Sequence, residues 1–155
     1  MQSGSLSTYL VGGDGSLTGA QLDLIAGQSA TRGEGQITTC WIVLDPDGEY
    51  FYVSNAIDAT ISTFRFTDAS GNIELVNEVA ASGTPGGTIT DGGLAFSQTD
   101  GWIDLDITDD GDYLYQLFGL SGAVGVFAVE DGNLSLVEVV SGNLPEENTQ
   151  GIVSF

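Results

Sequence analysis

Asp104 and Asp106 stand two residues apart in a stretch, Ile103 to Ile107, that is otherwise apolar. In an extended chain alternate side chains share a face, so the two carboxylates point the same way. Such a pair can take a proton from water, hold a cation, or simply meet solvent. A second group lies in the connector Thr31-Arg32-Gly33-Glu34-Gly35-Gln36. The planar fork of Arg32 suits a carboxylate or phosphate, and Glu34 is a further candidate base. The alternative is a surface ion pair between them, worth at most about 1 kcal/mol. Asp45-Pro46-Asp47-Gly48 and Asp109-Asp110-Gly111-Asp112 have the acid and glycine content of calcium loops. They lack the following ligand series and closing Glu, so they are expected to be turns and no metal site is expected. Cys40 precedes an apolar run and is expected to be a small core residue rather than a nucleophile. Trp41 and Trp102 are expected in the core or at a rim, where an indole can stack on a ligand.

Composition narrows the chemistry further. The 155 residues carry 22 Asp and Glu against 2 Lys and Arg, with no His and one Cys. Cys/His zinc sites, Ser-His-Asp and Cys-His catalysis, and an internal disulfide are therefore excluded within this chain. A formal charge of −20 argues against nucleic acid as a partner, because each phosphate contact needs a cation. No apolar run approaches the roughly 20 residues of a transmembrane helix. The opening Met1-Gln2-Ser3-Gly4-Ser5 has no basic-then-apolar pattern, so no signal peptide is expected. Charged residues make up only 15% of the chain and apolar ones 41%, which favours a folded domain over acidic disorder. The acidity then fits a surface solvated in saline surroundings, or a secreted, calcium-rich setting. The compartment stays open, and no motif calls for a cofactor.

Internal repetition supplies the elements that must position these residues. Asp45-Pro46-Asp47-Gly48-Glu49-Tyr50-Phe51-Tyr52 recurs as Thr108-Asp109-Asp110-Gly111-Asp112-Tyr113-Leu114-Tyr115, 63 positions later. Ala59 to Phe66 recurs at the same offset as Gly122 to Val129. Gly71-Asn72-Ile73-Glu74-Leu75-Val76 matches Gly132-Asn133-Leu134-Ser135-Leu136-Val137 after a two-residue deletion. A third, partial copy runs from Ser5 to Leu10 and on to Asp14-Gly15-Ser16-Leu17. Each full unit predicts four strands: Trp41 to Leu44, Tyr50 to Ser54, Thr60 to Phe66 and Ile73 to Val79, with equivalents from Ile103, Tyr113, Ala123 and Leu134. The first and third connections of each unit are Asp-Gly-type turns. Gln21 to Ala26 is expected to be a short turn or the last strand of the partial unit.

Duplicated four-stranded antiparallel units are the signature of β-propeller blades. An immunoglobulin-like sandwich has regular strands but not this duplicated unit. The expected fold is all-β: a partial β-propeller of about two and a half four-stranded antiparallel blades. Residues 1–30 form a partial blade, 38–82 and 101–141 full blades, and 150–155 a closing inner strand. Because Asp104 aligns with Trp41, it falls on an inner strand, where channel-facing carboxylates act as bases or cation ligands.

From Trp41 to Asn55, through Asp45-Pro46-Asp47-Gly48 and Tyr52-Val53-Ser54-Asn55, the chain resembles the lactonase-type seven-bladed propellers, the 6-phosphogluconolactonase-like family. The resemblance covers nearly the whole chain and corresponds to the C-terminal part of a full protein. It implies hydrolysis of a sugar-type lactone, with a small lactone or carbohydrate-like ligand as partner. Without His, the base that activates water has to be a carboxylate, Asp104 or Glu34, and Arg32, Trp41 and Trp102 are the candidate substrate contacts. Enzyme-like members carry basic residues or His around the channel, which this chain lacks. The alternative is a non-catalytic propeller that binds a protein, glycan or divalent cation. Even a four-bladed ring would need about 250 residues at this spacing. Completion by a missing propeller half or by copies of the chain is therefore expected.

Overall fold

The computed structural model describes residues 4–25, 38–83, 101–142, 144–145 and 149–155. These residues are all-β, in three antiparallel sheets of 2, 4 and 4 strands, consistent with a partial β-propeller. Strands β1 (Ser5–Val11) and β2 (Leu17–Ile25) form a hairpin. The first blade is the meander β3 (Thr39–Leu44), β4 (Tyr50–Asn55), β5 (Thr60–Phe66) and β6 (Ile73–Ser82). The second is β7 (Trp102–Ile107), β8 (Tyr113–Phe118), β9 (Ala123–Glu130) and β10 (Asn133–Ser141). No helix among the described residues is long and apolar enough to cross a membrane. The segment from Gln21 is strand, continuing β2 to Ile25.

The two blades repeat each other in register as well as in sequence. Leu44 pairs with Phe51 and Ile107 with Leu114; Phe51 pairs with Phe64 and Leu114 with Phe127. Their first turns close identically. Asp45 N donates to Tyr50 O and Gly48 N to Asp45 O, while Thr108 N donates to Tyr113 O and Gly111 N to Thr108 O. Gly48 and Gly111 sit at φ 72° and 77°, a region that costs side-chain-bearing residues energy, so the recurring glycine is a backbone requirement.

The central strands β4, β5, β8 and β9 bury side chains on both faces, whereas β3, β6 and β10 alternate between exposed positions and buried or half-buried ones. One core lies between the blades and contains Tyr52 and Ile61 of the first with Trp102, Leu114, Phe118 and Phe127 of the second. A second core lies between the hairpin and the first blade, where Leu6 and Leu24 pack on Phe51, Val53, Phe64 and Ile73. The Phe51 and Phe64 rings stack there with centroids 5.2 Å apart. Each large apolar side chain so buried contributes about 1.5–3 kcal/mol.

Polar bonds fix one sheet against the next. Thr8 Oγ1 donates to Gly71 O at 2.6 Å, and Thr63 Oγ1 donates to Gly132 O at 2.8 Å. Both are the same device, a threonine gripping the turn glycine of the following blade. A Cβ on Gly132 would lie 2.8 Å from the Tyr50 ring, so only glycine allows this approach. Val126 stands at the position equivalent to Thr63 and carries no hydroxyl. At the other end of the joint, Ser54 Oγ donates to Trp102 O at 2.7 Å.

The hairpin covers only part of the first blade. Ile42 and Leu44 of β3 are 58% and 49% exposed, and they line a groove of about 280 Å³ with Leu6, Phe51, Phe66 and Ile73. Cys40, on the same face of β3, is exposed too. This corrects the expectation of a core cysteine: its alternation face is apolar, but the hairpin has no strand beside β3 to bury it.

Candidate functional site

The first strands of the two blades, β3 and β7, lie side by side, with the chain terminus Gly151–Phe155 on the far side of β7. Asp104 and Asp106 project from β7 toward that terminus. Asp104 Oδ2 accepts the Ile152 amide at 3.0 Å, and its Oδ1 accepts the Leu105 amide at 2.9 Å. Asp106 Oδ2 accepts the Ser154 amide at 2.6 Å and lies 3.0 Å from the Ser154 hydroxyl. That hydroxyl also reaches Ile107 O at 2.8 Å. A step of two along β7 matches a step of two along the terminus, so the terminus runs parallel to β7. Residues 150–155, expected to be a closing inner strand, form no strand among the described residues and meet β7 through these side-chain contacts.

The two carboxylates therefore share one face, as their spacing requires, and both are engaged as acceptors of backbone N–H groups. Side-chain oxygens here replace the carbonyls that would accept these protons in a sheet, leaving fewer orphan donors at the joint. The terminus reaches this position across the β8–β9 turn. A Cβ on Gly119 would come within 2.6 Å of Thr149 O.

Trp102 is fully buried in the core between the blades, with its ring 5.1 Å from that of Phe118. Its carbonyl receives the Ser54 hydroxyl, and its side chain offers a ligand no surface. Trp41 is half-buried in β3, on the alternation face of Val43, which packs on the core between the blades. Arg32 and Glu34 lie outside the described residues. The site residues that can be placed are thus Asp104 and Asp106 together, Trp102 in the core, and Trp41 on the neighbouring strand.

The Tyr52-Val53-Ser54-Asn55 motif has a local structural explanation. Ser54 pins the next blade, as above. Asn55 is fully buried and fully used: Nδ2 donates to Thr60 Oγ1 at 3.1 Å and to Ser62 Oγ at 2.9 Å. Its Oδ1 accepts the Thr39 hydroxyl at 2.7 Å. One amide therefore ties the ends of β3, β4 and β5 together. In the second blade Leu117 and Phe118 take these two positions, and packing replaces the polar tie. Sequence reasoning missed Ser154, Ser54 and the Thr8 and Thr63 grips, because a lone hydroxyl reveals its acceptor only after the strands are placed.

Arg65, the other cation, pairs with Glu74, its cross-strand neighbour in β6, at 2.5 Å. Among the described residues no three acidic or Cys side chains converge into a metal-binding group.

No protein-family model matches the chain, and no curated protein matches it. Solved structures do resemble it. The periplasmic gluconolactonase PpgL of Pseudomonas aeruginosa is 23% identical, with a TM-score of 0.62 over 91% of this chain and 36% of that one. A 6-phosphogluconolactonase candidate from Bacteroides uniformis is 18% identical, with a TM-score of 0.62 over 90% of this chain and 37% of that one. A protein of unknown function from Desulfotomaculum acetoxidans is 22% identical, with a TM-score of 0.62 over 88% of this chain and 35% of that one. The chain spans little more than a third of the length of these proteins. At such identities the likeness is one of fold alone: most of this chain superposes on about a third of each of these proteins.

Proposed function

We propose that the chain is a segment of a lactonase-type propeller whose completed ring hydrolyses a sugar-type lactone. The observation that carries this reading is the structural likeness to a gluconolactonase across 91% of the chain. The Asp45-to-Asn55 pattern supports it. Water would be activated by a carboxylate, with Asp104 and Glu34 as the candidates; Arg32 and Trp41 would contact the ring substituents. The exposed Val137 and Val140 of β10 and Tyr113 of β8 support docking of further blades against the second one. These come from the rest of a longer protein or from copies of this chain.

The test is proton release from glucono-δ-lactone and its 6-phosphate ester, measured by pH-stat on the chain and on any longer protein that contains it. Turnover above the spontaneous rate, lost in Asp104→Asn or Glu34→Gln, supports the reading. Absence of turnover in the complete ring overturns it. One observation favours the second reading, a non-catalytic binding propeller: both oxygens of Asp104 are already occupied by backbone amides.

A further inference from the structure

The acidic first turns meet the second blade at a cleft of about 190 Å³ on the joint between the blades, away from the β7–terminus contact. The β3–β4 turn contributes Asp45, Asp47 and Glu49, and the second blade contributes Asp110 and Asp131. Asp45 and Asp110 each commit one oxygen to their own turn: Asp45 Oδ1 accepts the Glu49 amide, and Asp110 Oδ1 accepts the Asp112 amide and the Thr108 hydroxyl. A second oxygen remains on each. Among the described residues no Lys or Arg lines the cleft.

Acidity alone is explained by solvation, but the wall of this cleft carries a second feature. Tyr52, which forms part of the lining, is fully buried, and its hydroxyl has no hydrogen-bond partner. A buried hydroxyl left unpaired is destabilising. Burial, with Asp45 and then Tyr50 as further causes, holds its proton on far above the ordinary tyrosine range, so at neutral pH it is a neutral group. An orphan polar group beside carboxylates that no described Lys or Arg faces is the arrangement expected of a site whose ligand supplies donors and positive charge.

The geometry also discriminates among cations. Calcium draws six to eight oxygens to about 2.3–2.6 Å of one point. No three carboxylates converge here. Acids spread around a cleft, with the half-buried Tyr50 among them, instead match a planar delocalised cation. A guanidinium presents five N–H donors in a fork and favours aromatic faces. The volume holds such a group with a few waters, at about 30 Å³ per water. We propose that this inter-blade cleft binds a guanidinium group, carried by a small guanidine or by an arginine side chain of a partner protein.

The carboxylate and tyrosine set recurs on the second blade as Asp110, Asp112, Tyr113 and Tyr115, with Thr108 replacing Asp45. A following blade would build a second, weaker cleft of the same kind.

The experiment is amide NMR titration of the chain with agmatine, with an acetyl-arginine-amide peptide flanked by two residues, and with calcium chloride, all at matched ionic strength. The expected result is saturable binding of the guanidinium probes, with shifts confined to 45–52, 110–111 and 131–132. Tighter binding of the peptide than of agmatine identifies a partner side chain as the source; the reverse order identifies a small guanidine. Asp131→Asn should weaken binding about 5-fold or more. Tyr52→Phe should weaken it about 2- to 10-fold while the free protein melts at the same or a higher temperature, since an unpaired hydroxyl is removed. Shifts that rise linearly and spread over the whole acidic surface overturn the proposal. So does calcium binding at these residues more tightly than agmatine. Undiminished binding in both variants overturns it too.

Discussion

Replacing Asp104 by alanine separates its structural from its chemical role. The carboxylate holds the Ile152 amide through Oδ2 and the Leu105 amide through Oδ1, at 3.0 and 2.9 Å. A hydrogen bond to a charged acceptor contributes about 1.5–3 kcal/mol, and 1.4 kcal/mol is tenfold in an equilibrium. Asp104→Ala should therefore speed hydrogen exchange of the Ile152 amide by about 10- to 150-fold. Ser154, held separately by Asp106, should change less. Asp106→Ala should reverse the pattern, freeing Ser154 first. Asp104→Asn keeps one acceptor oxygen and should fall between wild type and alanine. The assay is native-state amide exchange followed by NMR or mass spectrometry of the C-terminal peptide. Unchanged Ile152 exchange in Asp104→Ala would refute the stapling role. If lactone turnover in the complete ring then vanished with the terminus still protected, the carboxylate would be a base and not a staple.

Four further outcomes follow from the geometry. Thr63→Val leaves Gly132 O without its buried donor and should cost about 1–3 kcal/mol in a urea melt. The Asp68 carboxyl is held below its ordinary value near 3.8, first by the Asn72 side chain and then by turn amides. A depressed folded pKa stabilises above the unfolded value and is lost as pH falls through the folded one, so Asp68→Asn should flatten the stability loss below about pH 3.8 seen in acid melts. Cys40 is exposed but partial desolvation raises its thiol pKa, so folded protein should alkylate fully yet more slowly at pH 7 than glutathione, with the rate profile displaced to higher pH. With a formal charge of −20, the melting temperature should climb with salt up to about 1 M as repulsion is screened; a flat response would remove repulsion as a factor.

Much of the fold was legible because its signals are local and repeated. The Asp-Gly turns announce themselves by glycine, the strands by alternation, and the blade by recurrence 63 positions on. Strand ends moved by one to three residues, since pairing rather than composition decides where a ladder stops. The site was legible in position but not in partnership. That Asp104 and Asp106 share a face follows from their spacing; that the face meets the Ile152 and Ser154 amides depends on the path of the terminus past Gly119. Cys40 shows the complementary failure. Its strand is apolar on both faces, and whether the second face is covered depends on a neighbour that the hairpin does not supply.

The joint between the two blades is pinned twice, by Ser54 on Trp102 near the inner strands and by Thr63 on Gly132 at the β9–β10 turn. Two pins at separate points fix a rotation as well as a distance. In a closed ring the rotation per blade and the number of blades are one quantity, because the rotations must sum to a full circle. In a ring closed as proposed above, these two hydroxyls would act as a gauge of ring size, and lengthening or removing either would change the curvature that successive blades can adopt. On the outward side of the second blade Val126 and Leu117 occupy both pin positions. The angle to a following blade would be left to packing and to the Asp104 and Asp106 staples, so in such a ring that joint would be the place to absorb a mismatch in closure.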